Sequence, residues 1–195
     1  MFRISSIAVY QLDFDKLSGG PLSNAAVKLC DNEQELAELR ELTSDYSEQE
    51  GLIGVLAKVD GEVVGGLWMA TNDYRDYDMG LSFCLGADRT WIYSARVEPD
   101  YRRRGIYSHM MSASAQSRND QQKSAPLIAV SSVNTASSKA IQRFSTYVGK
   151  VLVIRIGSGA WARSTGDMQQ TQNWTLQCSR RPIQLHPGGQ GPSPS

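Results

Sequence analysis

The chain is poor in cysteine and histidine and has no long apolar run, and each shortage narrows what it can be. Cys30, Cys84 and Cys178 are scattered over 195 residues, with no CxxC pair. An odd, dispersed set argues against a disulfide scaffold and suits a reducing compartment, so a cytoplasmic location is expected. His109 and His186 lack the spacing of a metal-ligand pair, and no metal is expected. No segment approaches the roughly 20 apolar residues that span a bilayer. The apolar run near the N-terminus is too short for a secretory signal, so no membrane association is expected. Internal repeats are absent, as are GxxxxGK[ST] and GxGxxG. Twenty basic residues balance twenty acidic ones, which predicts no nucleic-acid partner.

What is present is ordinary in amount and uneven in placement. Hydrophobic residues make up 41% and charged residues 21%, the composition of a globular chain with a real core. Acid is concentrated from Asp31 to Glu50, where Arg40 is the only base, and Arg96 to Arg104 form a basic island. Residues 2–14 and Ala26–Cys30 have strand character, with a break at Ser18–Pro21. Asp31 followed by Gln34 predicts a capped helix with Leu36, Leu39 and Leu42 on its apolar face. A second acidic helical turn is expected around Asp45–Glu50. Asp60-Gly61 between two β-rich runs predicts a tight hairpin, because both turn residues must tolerate positive φ.

The segment from Thr71 to Arg89 is polar and carries no clear pattern. Thr90–Val97 is a strand, and Ile106 to about Gln121 a helix with Ile106, Met110 and Ala113 on one face. Pro126 opens a further strand. Asn134 to Val148 is expected to be helical, with Ala136, Ala140, Phe144 and Val148 in phase. KVLVIRIG and Gln172–Cys178 are expected strands, and the tail from residue 181 has a disordered composition. The organisation expected is an N-terminal strand and extension (1–24), one domain (25–180) and a tail (181–195).

The segment VEPDYRRRGIYSHMM, Val97 to Met111, carries the chemistry. Pro99 ends the strand ladder on one side because it has no N–H. Three arginines then meet a glycine where a helix begins. The first turn of a helix has unpaired amides and partial positive charge, a glycine admits a bulky anion, and guanidinium forks match phosphate. A solvated run of arginines beside a simple turn would look much the same from this segment alone.

The wider order adds to this. An acidic helix and a hairpin precede a strand ending Val97-Glu98-Pro99-Asp100-Tyr101-Arg102, and Arg103-Arg104-Gly105-Ile106-Tyr107 follow. A strand and Asn134-Thr135-Ala136-Ser137 come next. Over roughly residues 25–178 this resembles the GNAT superfamily of N-acetyltransferases. Arg102 and Gly105 match its [Q/R]-x-x-G-x-[G/A] motif, with Tyr107 in place of the last small residue. Asn134 and Ser137 match its N-x-x-[A/S]. Ile141 stands where the family has a tyrosine, and Ser145-Thr146 where it has Gly-Phe.

The resemblance implies an α/β (α+β) acyl-CoA acyltransferase fold. Its central sheet is mixed and mostly antiparallel, with a splayed parallel strand pair and flanking helices. It implies acetyl-CoA as cosubstrate, bound through Arg96, Val97, Arg102, Arg103, Arg104, Gly105, Ile106, Tyr107, Ser108, Asn134 and Ser137. The pantetheine arm would lie along the strand near Arg96 and Val97, with the Val97 N–H on the developing oxyanion. The catalytic acid and base stay open: Tyr93 and Tyr147 are the available phenols, the strand before Val97 holds no carboxylate, and a water relay is expected to take the proton. His109 is expected at the surface or in packing rather than in catalysis, and Cys84 lacks a histidine partner for nucleophilic work.

The acceptor would be a small-molecule or peptide amine. The acidic segments, with Asp73, Tyr74, Asp76, Tyr77 and Asp78, would favour a cationic one, although such charges also serve simply to solvate a helix face. The chain is expected to be a monomer or homodimer. A fold of this type that binds CoA or acyl-CoA without turnover is the alternative, motivated by the missing tyrosine and strand carboxylate. A polyanion-binding module built on the arginines is the third reading.

Overall fold

The structure, a computed structural model, describes residues 2–18, 23–76, 79–85, 88–121, 123–156, 159–170, 177–178 and 183–187. The chain runs β1 (Phe2–Leu12), α1 (Phe14–Ser18), β2 (Ala26–Leu29), α2 (Glu33–Thr43), β3 (Leu52–Val59), β4 (Glu62–Ala70), β5 (Tyr74–Asp76), β6 (Leu81–Phe83) and β7 (Trp91–Val97). A 3-10 turn over Pro99–Tyr101 leads to α3 (Ile106–Asn119). Then follow β8 (Leu127–Ser131), α4 (Thr135–Ile141), β9 (Ser145–Ile156), β10 (Gly159–Gly166), β11 (Met168–Gln170), β12 (Gln177–Cys178) and β13 (Ile183–Pro187). Among the described residues no helix is long and apolar enough to cross a membrane.

The chain divides into two compact units, one of Met1–Gln11, Asp73–Gly86 and Ala129–Ser195, the other of Leu12–Asn72 and Ala87–Ile128. In the second unit β2, β3, β4 and β7 lie side by side, each antiparallel to its neighbour. The start of β8 adds in parallel through Trp91↔Leu127 and Ile92↔Ile128. In the other unit β12, β10, β9 and β1 are neighbours, and β11, β13, β6 and β5 form a separate small sheet. The architecture is thus mixed α/β with mostly antiparallel pairing, and among the described residues β7–β8 and β6–β13 pair in parallel.

Local chemistry explains the second unit. Asp60 and Gly61 take φ of 52° and 88° at the β3–β4 turn, the positive pair that a two-residue hairpin needs. Glycine lets α2 sit close on the sheet: a Cβ at Gly66 would lie 2.3 Å from Leu39 Cδ1, and one at Gly54 2.6 Å from Leu39 Cδ2. Leu39, Leu56 and Trp68 form the core there, with Leu36 and Tyr93 packed against them. On the opposite face Ile106 and Met110 of α3 approach Gly65. Two helices therefore clamp β4 from its two sides.

Several expectations need correction. The cap of α2 is Asn32, not Asp31: the Glu35 N–H donates to Asn32 Oδ1 at 3.0 Å, and Glu35 Oε2 accepts from the Asp31 N–H at 3.2 Å. The three-residue spacing is kept but shifted by one, because Glu35 also gains Lys28 at 2.6 Å. No helical turn forms at Asp45–Gln49, since Ser44 takes φ 54° and ends α2. The buried face of α3 comprises Ile106, Met110, Met111, Ser114, Ala115 and Arg118, with Ala113 to one side. The helix expected to reach Val148 stops at Ile141. Ser145 Oγ donates to the Ile141 carbonyl, and the β-branched run beyond it pairs with β10.

The patternless stretch after Thr71 supplies β5 and β6. Ile183–Pro187, inside the segment expected to be a tail, pairs with β6 and β11. Residues 19–22, most of Gln172–Cys178 and the end of the tail from residue 188 lie outside the described residues, as do Tyr77 and Asp78.

Candidate functional site

Strand β7 has two edges in different states. One pairs with β4 along its length, through Ala70↔Trp91 to Gly65↔Val97. The other pairs with β8 only at Trp91 and Ile92, so the ladder on that side stops while Ser94–Val97 run on. The Glu98 N–H donates to the Val64 carbonyl at 2.9 Å, which makes Val97 and Gly65 a non-hydrogen-bonded pair. In such a pair the backbone groups point away from each other. The N–H and C=O of Val97 therefore face the edge away from β4.

A bulge prepares this. Trp68 opposes Tyr93 and Gly66 opposes Arg96, so Ser94 and Ala95 together face Leu67. Ser94 takes φ 48°, the left-handed conformation that lets a bulged residue kink its strand. The side chain of Ser94 donates to Asp45 Oδ2 at 2.6 Å. Asp45 Oδ1 accepts the Ser47 N–H at 3.1 Å. The turn that delivers Asp45 is itself held: Thr43 Oγ1 donates to the Leu39 carbonyl at 2.7 Å and accepts from Trp68 Nε1 at 3.1 Å. A carboxylate thus reaches the strand that lacks one in its own sequence. No local pattern links residues 45 and 94, and sequence reasoning missed the pair.

Beyond β7 the three arginines divide their work. Arg102 Nε donates to the Val97 carbonyl at 3.1 Å, so Arg102 ties the strand end to the turn. Arg104 lies over the Tyr101 ring at 5.0 Å, and the Tyr101 hydroxyl donates to Glu62 Oε2 at 3.1 Å. Arg103 is exposed at φ 63° and is the guanidinium of the three without such an anchor. Gly105 starts α3 as its N-cap at φ 79°, with no side-chain cap. The first bond of the helix is the His109 N–H to the Gly105 carbonyl at 3.0 Å. An uncapped helix start beside a free guanidinium is suited to a phosphate.

Tyr107 and Ser108 lie in the first turn of α3; burial pushes the Tyr107 phenol well above its usual range. His109 is held below its ordinary value by desolvation, and its Nδ1 is 3.1 Å from Ser23 Oγ. Arg96 is half-exposed and sits 3.5 Å from Glu98. The Tyr93 phenol is raised by burial first and by the charge of Asp45 second.

Burial, followed by Asp73, raises the Cys84 thiol, which opposes a nucleophilic role. In the other unit Asn134 caps α4, its Oδ1 accepting the Ser137 N–H at 3.1 Å. Tyr147 lies on β9 rather than on the helix expected to reach Val148, half-exposed and edge-on to Tyr10 at 5.7 Å. Among the described residues no group of three or more His, Cys, Asp or Glu is arranged to hold a metal.

Strand β7 thus bulges at Ser94, has ladder partners on one edge only beyond Ile92 among the described residues, and runs into the uncapped start of α3. Comparison with known proteins gives the family. The chain belongs to the acetyltransferase (GNAT) family, whose model matches residues 22–144. No curated protein matches it in sequence.

Solved structures similar in fold include a functionally unknown conserved protein from Staphylococcus epidermidis, with 12% identity and a TM-score of 0.57. A chain from Novosphingobium aromaticivorans assigned to the GNAT acetyltransferases has 10% identity and 0.55. A GCN5-related N-acetyltransferase from Kribbella flavida has 13% and 0.53. These alignments cover 78%, 77% and 80% of the present chain. The chain spans only 62%, 63% and 60% of those structures, and identities this low speak to the fold alone.

Proposed function

We propose that the chain is an acetyl-CoA-dependent N-acetyltransferase that moves an acyl group to a primary amine by direct attack on the thioester. One observation carries the reading: the Val97 amide faces the unladdered edge of β7, beside the uncapped start of α3. A bound acetyl-CoA would supply the acyl group, already activated as a thioester. The first-turn amides of Ile106 and Ser108, with Arg103 outside them, would hold its diphosphate. The edge of β7 near Arg96 and Val97 would hold the amide-bearing arm by strand-like pairing.

The Val97 N–H would then donate to the carbonyl oxygen as negative charge grows there, worth a few kcal/mol at most for one donor. The ammonium first gives one proton to water, and the neutral amine nitrogen then bonds to the carbonyl carbon. The C–S bond breaks, its electron pair leaves on sulfur, and the second nitrogen proton passes through water to the thiolate. Asn134 would contribute through its remaining amide N–H groups, since its oxygen already serves α4. The acceptor is proposed to be cationic. Free Cys30 and Cys84 fit the reducing, cytoplasmic setting that the reading assumes.

A second reading, a CoA-binding module without turnover, is favoured by one fact: Ile141, at the position where the family has a tyrosine, is fully buried. Calorimetry with CoA and acetyl-CoA tests the shared claim, and thiol release across an amine panel divides the two. Heat with release is expected. Heat without release on any amine would favour the second reading, and no heat would overturn both.

A further inference from the structure

The acidic stretch of α2 is largely spoken for. Glu33 pairs with Arg40, Glu35 with Lys28 and Glu38 with Lys58. These carboxylates hold the helix to itself and to the neighbouring strands. Asp45, next along the chain and only partly exposed, is different. It makes no ion pair among the described residues. Its two hydrogen bonds, from the Ser94 hydroxyl and the Ser47 N–H, come from neutral donors and leave its full negative charge. Each carboxylate oxygen keeps a lone pair for another donor.

Its placement is specific. Ser94 is the bulged residue, three positions before Val97, and its hydroxyl reaches the segment just beyond the end of α2. Arg96, the nearest cation along β7, is engaged with Glu98. Tyr46, the next residue after Asp45, is 69% exposed, which leaves an aromatic face open to a cationic guest. A partly desolvated anion without a counter-ion gains most from a ligand that brings one.

We infer that Asp45 is the specificity-determining residue of the acceptor site, receiving an ammonium group of an amine that carries a second positive charge. The inference rests on the acetyltransferase reading and names its substrate class: aliphatic diamines and polyamines. Asp45 binds the non-reacting ammonium, and Ser94 positions the carboxylate. The effect therefore falls on acceptor binding rather than on the acyl transfer step.

The test uses the whole chain with acetyl-CoA, and cadaverine against pentylamine as acceptors. Cadaverine binding is also read directly, by saturation-transfer NMR on CoA-free protein. Asp45→Asn should raise KM for cadaverine by about tenfold or more, the scale of one lost charge-assisted contact, while kcat and the pentylamine KM stay near wild type. The cadaverine NMR signal should vanish, and the heat with CoA should be unchanged. Ser94→Ala should shift the cadaverine KM the same way and less.

A folded Asp45→Asn variant with unaltered cadaverine KM and NMR signal would overturn the inference. So would a wild-type chain that shows neither a cadaverine signal nor a preference for cadaverine over pentylamine. A wild type without CoA heat overturns the acetyltransferase reading instead, and the NMR arm then still decides Asp45.

Discussion

Helices α3 and α4 both follow a strand, and both begin at a residue that matches a family motif, yet their first turns are built in opposite ways. Helix α4 is closed by its own side chain: Asn134 Oδ1 accepts the Ser137 N–H. Helix α3 starts behind Gly105, which has no side chain to offer and sits at φ 79°. Its leading amides have no side-chain cap, and guanidinium groups precede them. A helix start leaves donors that something must satisfy. In α4 the chain satisfies one of them itself; in α3 no side-chain cap does, and the proposed cofactor would take that place. Two motifs of equal standing in sequence thus differ in what they leave open.

The largest break of this comparison is Gly105→Glu. It puts a carboxylate where an anion is to bind and forces a side chain into positive φ, which costs about 1 kcal/mol by itself. CoA affinity should fall by more than about 100-fold in calorimetry. Gly105→Asn serves as the control, because asparagine tolerates this conformation and adds no charge, and it should retain much of the affinity. A folded Gly105→Glu variant that binds CoA as tightly as wild type would remove α3 from the site.

Why was α3 readable while other parts were not? The Asp60-Gly61 hairpin, strand β7 and the start of α3 at Ile106 are local patterns, each set by residues within a few positions. The orientation of Val97 is not local; it depends on which β4 carbonyl the Glu98 N–H meets. The bulge at Ser94 likewise exists only against Leu67. The Asp45–Ser94 bond joins residues 49 positions apart, beyond the reach of any spacing rule.

The end of α4 shows the same principle in reverse. Ala136, Ala140, Phe144 and Val148 fit a helical period, but Val151 and Val153 bury themselves by pairing in β9. Phe144 and Ser145 are buried at the turn between the two elements, so packing overrides local phase. Tyr147 leaves the expected helix for that reason.

A smaller effect sharpens the α4 side of the comparison. Asn134→Ala removes the side-chain cap, a loss of about 1 kcal/mol at a typical N-cap. Thermal or urea unfolding should register it. CoA affinity should change by no more than a few-fold, because the Asn134 oxygen serves the helix. A large loss of CoA affinity at unchanged stability would mean that the two helix starts share the ligand more evenly than their caps imply.

The smallest expected effect concerns acid. His109 closes the first turn of α3, and desolvation lowers its pKa from the ordinary value of 6.5. The partial positive charge of the helix start works in the same direction. A group with a lowered folded pKa binds protons more readily when unfolded, so the stability tied to its neutral form is complete above 6.5. That stability drains away as the pH falls below 6.5 toward the folded value. Helix α4 has no titratable side chain in its first turn and adds no such dependence.

Melting wild type and His109→Gln in parallel over this window isolates the contribution. The wild-type Tm should drop more than that of the variant on acidification, by about 1–2 °C for a partly exposed, screened group. Parallel curves would show that His109 ionises as easily in the fold as outside it. The open start of α3 would then exert no measurable electrostatic pressure on its own first turn.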